Sequence, residues 1–454
     1  MIRSSYSRQT AILVIGDLVA YLFSLILTLT LRYNGIPGRA LLSIHLPPFL
    51  LLFLFFLVIN YSAGLYNRQA LLSAPSRTLG LLIRSQTIAV LISIAFFYFA
   101  PLAIAPKANL FIYAIISMIV LTVWRLVMFP VVSRSRNQKA ILVGSCDEID
   151  GLRNEINTRA RYGFVFVESI KPTGSVDDTT TMISEMVKKS GASVMVVDMH
   201  NPTLESAMPF LYSLIFTGLQ VIDAGRLYEN IFGRIPLSMV GDRWLVENTG
   251  TSIGGRRIYD VLKRLMDIVF SFILGVISLI FYPFVYVAIK LEDRGPLFIR
   301  QSRVGRNGNT VEIVKFRSMT ANDGGNYTNG NAKTQLKITR VGKFIRLARI
   351  DELPQLWNVL CGDISLIGPR PELPALVSVY EKEIPYYHVR HLIQPGLSGW
   401  AQIYHQTHPH HAVAVNDTRE KLSYDLYYIK NRSFMLDVRI ALETLRALLS
   451  RRGV

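Results

Sequence analysis

The chain has 454 residues, 49 Lys and Arg against 32 Asp and Glu, and a net charge of +17, yet only 18% of its residues are charged and half are hydrophobic. That pairing excludes a nucleic-acid binder, which would be basic and also highly charged, and two distant cysteines, Cys146 and Cys361, exclude a disulfide framework and any CxxC motif. What remains is a membrane protein with a cytosolic side.

Four apolar segments lead. Ala11–Leu31 contains one charge, Asp17, Leu46–Ala63 none, Leu79–Ala100 Arg84, and Ala108–Val132 Arg125. Each is near the roughly 20 residues a spanning helix needs, which predicts a four-helix transmembrane bundle over residues 1–135. The first segment reads as a span and not a signal peptide, because no small-residue cleavage pattern follows it. Arg3, Arg8, Arg68, Arg77, Arg134, Arg136 and Lys139 flank one side against Arg32, Arg39 and Lys107 on the other, which places both ends of the bundle in the cytosol. An intramembrane charge is a functional hypothesis by default. The plainer reading is that Asp17 and Arg125 pair, or that the arginines snorkel to an interface.

From Lys139 the texture changes. Ala140–Gly144, Ser193–Asp198 and Leu219–Asp223 read as buried strands, and Asp147–Arg161 and Thr181–Ser190 as helices between them, which predicts a small α/β domain over residues 136–250. After the first strand, Gly144-Ser145-Cys146-Asp147-Glu148-Ile149 puts one glycine and two acids where a GxGxxG loop would cradle phosphate. That argues for a structural or regulatory module over a dinucleotide reader.

The last third carries the chemistry. Lys263-Arg264 opens an apolar segment, Leu265–Ile289, interrupted by Pro283. It either spans or dips into the membrane and returns. A basic stretch follows, Arg294, Arg300, Arg303, Arg306, Lys315 and Arg317, suited to anionic headgroups or a polyphosphate substrate. The strand-like run Val311–Phe316 aims Lys315 and Arg317 to one face. Asp351 and Glu352 come directly after Arg346 and Arg349. One carboxylate can attack phosphorus while its neighbour binds a metal or handles a proton, and the arginines can neutralise developing phosphate charge. The same residues suit a helix N-terminus, with Asp351 as cap and Pro354 in an early position, and such a terminus also favours phosphate. Gly368-Pro369-Arg370-Pro371 is a strand end with an arginine locked between prolines. Pro395–Trp400 is a tight turn whose indole suits a membrane interface, and His405, His408, His410 and His411 read as a surface loop and not a metal cluster.

These motifs resemble, in the same order, the bacterial sugar transferases, the monotopic phosphoglycosyl transferases that act on polyprenyl phosphates. The resemblance covers about residues 258–454 through Lys263-Arg264, Arg303-Val304-Gly305, Lys315–Met319, Asp351–Gln355, Gly368–Pro371 and Pro395–Trp400. The remainder is similar to the family's large members, which carry four spans and a Rossmann-like domain. The resemblance implies an α/β catalytic domain whose segment at about 263–290 is a re-entrant membrane helix, with Pro283 at its break. It implies Asp351 as the nucleophile, Mg2+ at Asp351 and Glu352, and Lys315, Arg317, Arg346 and Arg370 as phosphate-binding residues. It implies transfer of a hexose-1-phosphate from a UDP-hexose to undecaprenyl phosphate with release of UMP, on the cytosolic face of the bacterial inner membrane. UDP-glucose and UDP-galactose lead as donors, the lipid bilayer is a partner, nucleic acid is not, and a homodimer is expected by analogy. The sequence departs from the pattern at Leu373, Ala375 and Gln394, away from the carboxylate pair. Tyr259-x-x-x-Lys263 would suit a nucleotide-sugar dehydratase, but the glycine-rich cofactor loop is missing upstream. A scaffold with a decayed site is the other alternative, and the intact carboxylates and arginines oppose it.

Overall fold

The computed structural model describes residues 2–66, 75–99, 107–128, 138–159, 162, 164–172, 175–254, 257–320, 337–404 and 414–449. They form two compact units, Met1–Phe232 and Gly233–Val454. Residues 233–250, grouped with the middle domain on sequence, pack with the second unit, where Ile235 and Trp244 share a core with Trp400 and Tyr428.

The first unit begins with α1 (Ile2–Tyr33), α2 (Arg39–Ser62), α3 (Pro75–Phe99) and α4 (Lys107–Val123), the last continued by a π turn, Trp124–Met128. Four segments within them are long and apolar enough to cross a membrane: Thr10–Tyr33, Arg39–Ser62, Thr78–Phe99 and Asn109–Met128. Their outward side chains are apolar, among them Ile15, Phe23, Leu54, Leu91 and Phe111, while Tyr21, Phe49, Phe53 and Tyr113 interlock inside. One polar network is buried there. Arg125 Nε donates to Asp17 Oδ1 at 3.0 Å, and the Tyr66 hydroxyl donates to Asp17 Oδ2 at 2.7 Å. Arg125 Nη1 donates to the Leu65 carbonyl at 3.0 Å. A buried charge is tolerable only when paired, so the plainer reading of Asp17 and Arg125 holds. Arg84 is exposed on the bundle surface.

The same unit contains β1 (Gln138–Val143), α5 (Asp147–Thr158), β2 (Phe164–Ile170), α6 (Val176–Ser190), β3 (Val194–Val197), α7 (Pro202–Ser206), α8 (Met208–Ile215), β4 (Gln220–Asp223) and α9 (Ala224–Phe232). The sheet is parallel with order β2-β1-β3-β4, and Val194–Val197 is wholly buried, as a parallel sheet covered on both faces requires. At the end of β1 a Cβ on Gly144 would sit 2.0 Å from Ile149 Cδ1 and 3.3 Å from Asp198 Cβ. The Ile149 side chain and the Asp198 Cβ thus fill the space beside Gly144.

The second unit comprises α10 (Asp242–Gly254), α11 (Arg257–Ser278), α12 (Phe281–Glu292), β5 (Phe298–Val304), β6 (Thr310–Phe316), α13 (Arg340–Leu347), α14 (Gln355–Cys361), β7 (Ser365–Ile367), α15 (Pro374–Glu383), β8 (Gly396–Ser398), α16 (Trp400–Tyr404), α17 (Val415–Asn431) and α18 (Phe434–Leu449). Helices α11 and α12 meet at 53°. Pro283 lies in the first turn of α12 and has no N–H for the Leu279 carbonyl, which accepts from Tyr282 N–H at 3.2 Å. The break therefore falls just ahead of Pro283. Strands β5 and β6 pair antiparallel from Phe298 opposite Phe316 to Val304 opposite Thr310, while β7 and β8 pair parallel. Trp400 is buried, not interfacial: its Nε1 donates to the Gly233 carbonyl at 2.7 Å and its ring stacks on Tyr427. His405, His408, His410 and His411 lie outside the described residues.

Candidate active site

Three short elements converge. Lys315 is the penultimate residue of β6, opposite Ile299. Asp351 and Glu352 sit in a 3-10 turn, Ile350–Glu352, just after α13. Arg370 follows β7 across Gly368-Pro369. Backbone groups at a free strand edge need partners, and the buried Asn358 of α14 supplies them to β6. Its Oδ1 accepts from Val314 N–H at 3.0 Å and its Nδ2 donates to the Glu312 carbonyl at 2.7 Å. Arg264 of α11 donates to the Val359 and Leu360 carbonyls at 2.6 and 2.7 Å, closing the C-terminus of α14. Asp267 accepts from Leu366 N–H at 3.1 Å. The bent helix pair is thus tied directly to the strand and helix that carry the site.

Arg349 has φ of 55°, the left-handed region, and turns the chain out of α13 into the carboxylate pair. Asp351 consequently occupies a tight turn, and the residue capping α14 is Pro354. The reading of Asp351 as a helix cap does not hold.

Glu352 Oε1 pairs with Arg370 Nη2 at 2.8 Å, and its other oxygen lies 3.6 Å from Arg349 Nη1. Burial alone would raise the Glu352 carboxyl, but Arg370, Lys315 and Arg349 outweigh it and hold the group at about 2. Glu352 in turn raises the pKa of Arg370. Lys315 is pushed down to about 8, first by burial and then by the charge of Arg370. Asp351 moves upward, through burial and then the neighbouring Glu352, against the pull of Lys315, Arg346 and Arg349. Among the described residues nothing hydrogen-bonds or ion-pairs the Asp351 carboxylate. One carboxylate is therefore fixed as an anion by its arginines. The other is unpaired, more basic than usual and surrounded by cations, the condition of an activated oxygen nucleophile aimed at an anionic centre.

Of the sequence-predicted residues, Lys315, Asp351, Glu352 and Arg370 come together, and the charge of Arg346, on the last turn of α13, reaches Asp351. Arg317 does not join them. Strand β6 ends at Phe316, and the Arg317 guanidinium turns to Asp293, donating to it at 2.7 Å and to the Pro296 carbonyl at 3.1 Å. At 6% exposure its donors are used inside the fold. Arg349, read on sequence as a phosphate-neutralising arginine, lies against Glu352, and Asn358 is a site-building residue that sequence reasoning missed. The signal for Asn358 is a lone amide in the apolar run Leu356-Trp357-Asn358-Val359-Leu360. Tyr259 and Lys263 meet at Asp437, at 2.7 and 2.9 Å, in the second unit, whereas the parallel sheet belongs to the first. Among the described residues no group of three or more His, Cys, Asp or Glu is placed to hold a metal. Two adjacent carboxylates are nonetheless the usual protein share of a Mg2+ site, whose other ligands are water and substrate phosphate.

A family model described as bacterial sugar transferase matches residues 258–451, and one described as CoA-binding domain matches residues 61–196. The chain is 41% identical over 245 residues to the UDP-N-acetylgalactosamine-undecaprenyl-phosphate N-acetylgalactosaminephosphotransferase of Aeromonas hydrophila, covering 53% of this chain and 55% of that one. It is 31% identical over 337 residues to the undecaprenyl-phosphate glucose phosphotransferase of Komagataeibacter xylinus, covering 70% of this chain and 60% of that one. It is 37% identical to the exopolysaccharide production protein PSS of Rhizobium leguminosarum bv. phaseoli over 42% of this chain and 96% of that protein. The first two matches thus span little more than half of those relatives' length.

Proposed function

This chain belongs to the bacterial sugar transferase family, and from that premise we propose that it transfers a hexose-1-phosphate from a UDP-hexose to undecaprenyl phosphate, releasing UMP, as the first membrane step of exopolysaccharide, capsule or O-antigen synthesis. The observation that carries this reading is the unpaired, upshifted Asp351 carboxylate beside a Glu352 fixed by Arg370.

In the first half-reaction an Asp351 oxygen attacks the β-phosphorus of the UDP-sugar. The bond from that phosphorus to the bridging oxygen breaks, and UMP leaves with the electron pair. A sugar-phosphoryl-aspartate remains. In the second half-reaction a phosphate oxygen of undecaprenyl phosphate attacks the same phosphorus and the Asp351 carboxylate departs, giving a diphosphate-linked lipid. Lys315, Arg346 and Arg370 neutralise the transferring phosphoryl group, so catalysis is mostly positioning and charge. Glu352 keeps Arg370 in place and repels a second anion from its own position. Asp351 and Glu352 would hold Mg2+, which supplies further charge neutralisation on the diphosphate when bound.

The α11–α12 pair is proposed to be re-entrant, which keeps the catalytic unit on the cytosolic face of the inner membrane. The relatives differ in sugar, N-acetylgalactosamine in one and glucose in another, so the donor is set by screening. Membranes holding the chain should release UMP from one of UDP-glucose, UDP-galactose or UDP-N-acetylgalactosamine, at most one equivalent per chain without lipid and repeatedly only when undecaprenyl phosphate sustains turnover. NAD-dependent conversion of the donor without lipid would contradict the reading.

A further inference from the structure

Behind Arg370 lies a set of charges that the reaction does not touch. Arg390 is 2% exposed, in the 3-10 helix Tyr387–Leu392. Its Nη2 donates to the Arg370 carbonyl at 2.9 Å and ion-pairs with Asp425 at 2.9 Å, and its Nη1 donates to the Tyr387 hydroxyl at 2.7 Å. Glu372 is salt-bridged to Lys421 and lies 3.9 Å from Arg390. All four charged groups are buried, two cations against two anions, so the set is neutral. The backbone around Arg370 is held carbonyl by carbonyl. Gly396 N–H donates to Pro369 at 2.9 Å, Arg390 to Arg370, Arg303 Nη1 to Pro371 at 3.4 Å, and Val304 N–H to Glu372 at 2.9 Å. Four successive carbonyls, Pro369 to Glu372, thus accept from donors on three other elements: β8, the Tyr387–Leu392 helix and, twice, β5. A core arginine placed merely for packing would not need to end on the peptide of Arg370, the arginine hydrogen-bonded to Glu352.

We propose that Arg390, balanced by Asp425 and working with the Glu372–Lys421 pair, is a positioning residue that sets where the Arg370 guanidinium stands against the substrate diphosphate. This rests on the reading of Arg370 as a phosphate-binding residue. The planar fork of Arg390 is what lets one side chain serve a carbonyl, a carboxylate and a hydroxyl at once, so lysine cannot replace it. The charges that bear on Lys315 are Arg370, Glu352, Arg303 and Asp351, and Arg370 is the first of these to push it down. Displacing Arg370 therefore has a signature that loss of packing alone lacks.

The test is the double variant Arg390→Met with Asp425→Asn in the whole chain, which keeps the buried set neutral with Lys421 and Glu372. The Arg390→Lys variant is its companion should the double variant fail to accumulate. Two quantities are read. UMP release should show a KM for the UDP-sugar raised about 10- to 100-fold, with the alkaline limb of its pH profile moved up from near 8. Hydrogen exchange at the Val304 and Gly396 amides, whose acceptors are the Glu372 and Pro369 carbonyls, should quicken by about tenfold or more while α17 stays protected. A folded variant with the wild-type limb, KM and amide protection overturns the proposal. If the wild-type chain itself releases no UMP, the proposed function fails, and the exchange measurement alone still decides whether Arg390 holds the Arg370 backbone.

Discussion

Lys315 gives the site a titration that can be moved by one substitution. Burial and the charge of Arg370 bring its ammonium to about 8 from an ordinary 10.5. If that charge stabilises the transferring phosphoryl group, kcat/KM falls as pH rises through about 8, roughly tenfold per pH unit above it. With Asp351 as the proposed nucleophile, the acid limb is its own, since it must be ionised to attack. Its pKa is raised, so activity is lost on acidification at a pH above the ordinary aspartate value, near 3.9. Glu352, held at about 2, stays ionised throughout this window and contributes no limb. In Lys315→Arg the guanidinium stays cationic beyond pH 12, so the alkaline limb should disappear up to about pH 10. The altered donor geometry should lower the plateau by about tenfold, less than the roughly 100- to 1000-fold that losing an aimed donor outright costs. The assay is UMP release from pH 5 to 10 at subsaturating donor. An alkaline limb still centred near 8 in Lys315→Arg would refute the assignment, because the titrating group would then be another one.

Three further outcomes follow from the geometry. Cys146 and Cys361 are both free, and Cys361 is exposed. If α11 and α12 dip and return, an impermeant maleimide should leave Cys361 unlabelled in intact spheroplasts of a Cys146→Ser strain and label it after lysis, whereas a spanning pair would expose it from outside. In the bundle, Asp17→Asn leaves Arg125 buried without its counter-charge and should cost about 3–5 kcal/mol of stability. Adding Arg125→Met should recover most of that loss, read as thermal unfolding in detergent. Removing divalent ions with EDTA should stop UMP release, and Mg2+ should restore it; undiminished release in EDTA would remove the ion from the account.

Much of this was legible in the sequence, and the reasons differ by element. The spans and the buried strands show because a run of some twenty apolar residues, or four to six with β-branching, has few other uses. The carboxylate pair and Arg370 show because charged residues beside prolines and glycines are rarely placed for packing. Alternation misled at Arg317, because it predicts a face only while the strand lasts, and β6 stops one residue earlier. Asp351 resembled a helix cap because sequence cannot show that Arg349 adopts a left-handed turn. Trp400 looked interfacial since an indole suits both a membrane edge and a core with a carbonyl in reach, here that of Gly233. Arg390 was invisible for a related reason: its role depends on Asp425 and Arg370, brought to it only by the folded chain.

In the proposed mechanism Asp351 carries the sugar phosphate between the two half-reactions. The most direct measurement is mass spectrometry of the protein quenched with its UDP-sugar in the absence of undecaprenyl phosphate. The expected result is a hexose-phosphate adduct on the peptide containing Asp351, discharged on adding the lipid and missing from Asp351→Asn. A wild-type protein that turns over with no such adduct, or an Asp351→Asn protein that releases UMP at the wild-type rate, would contradict it.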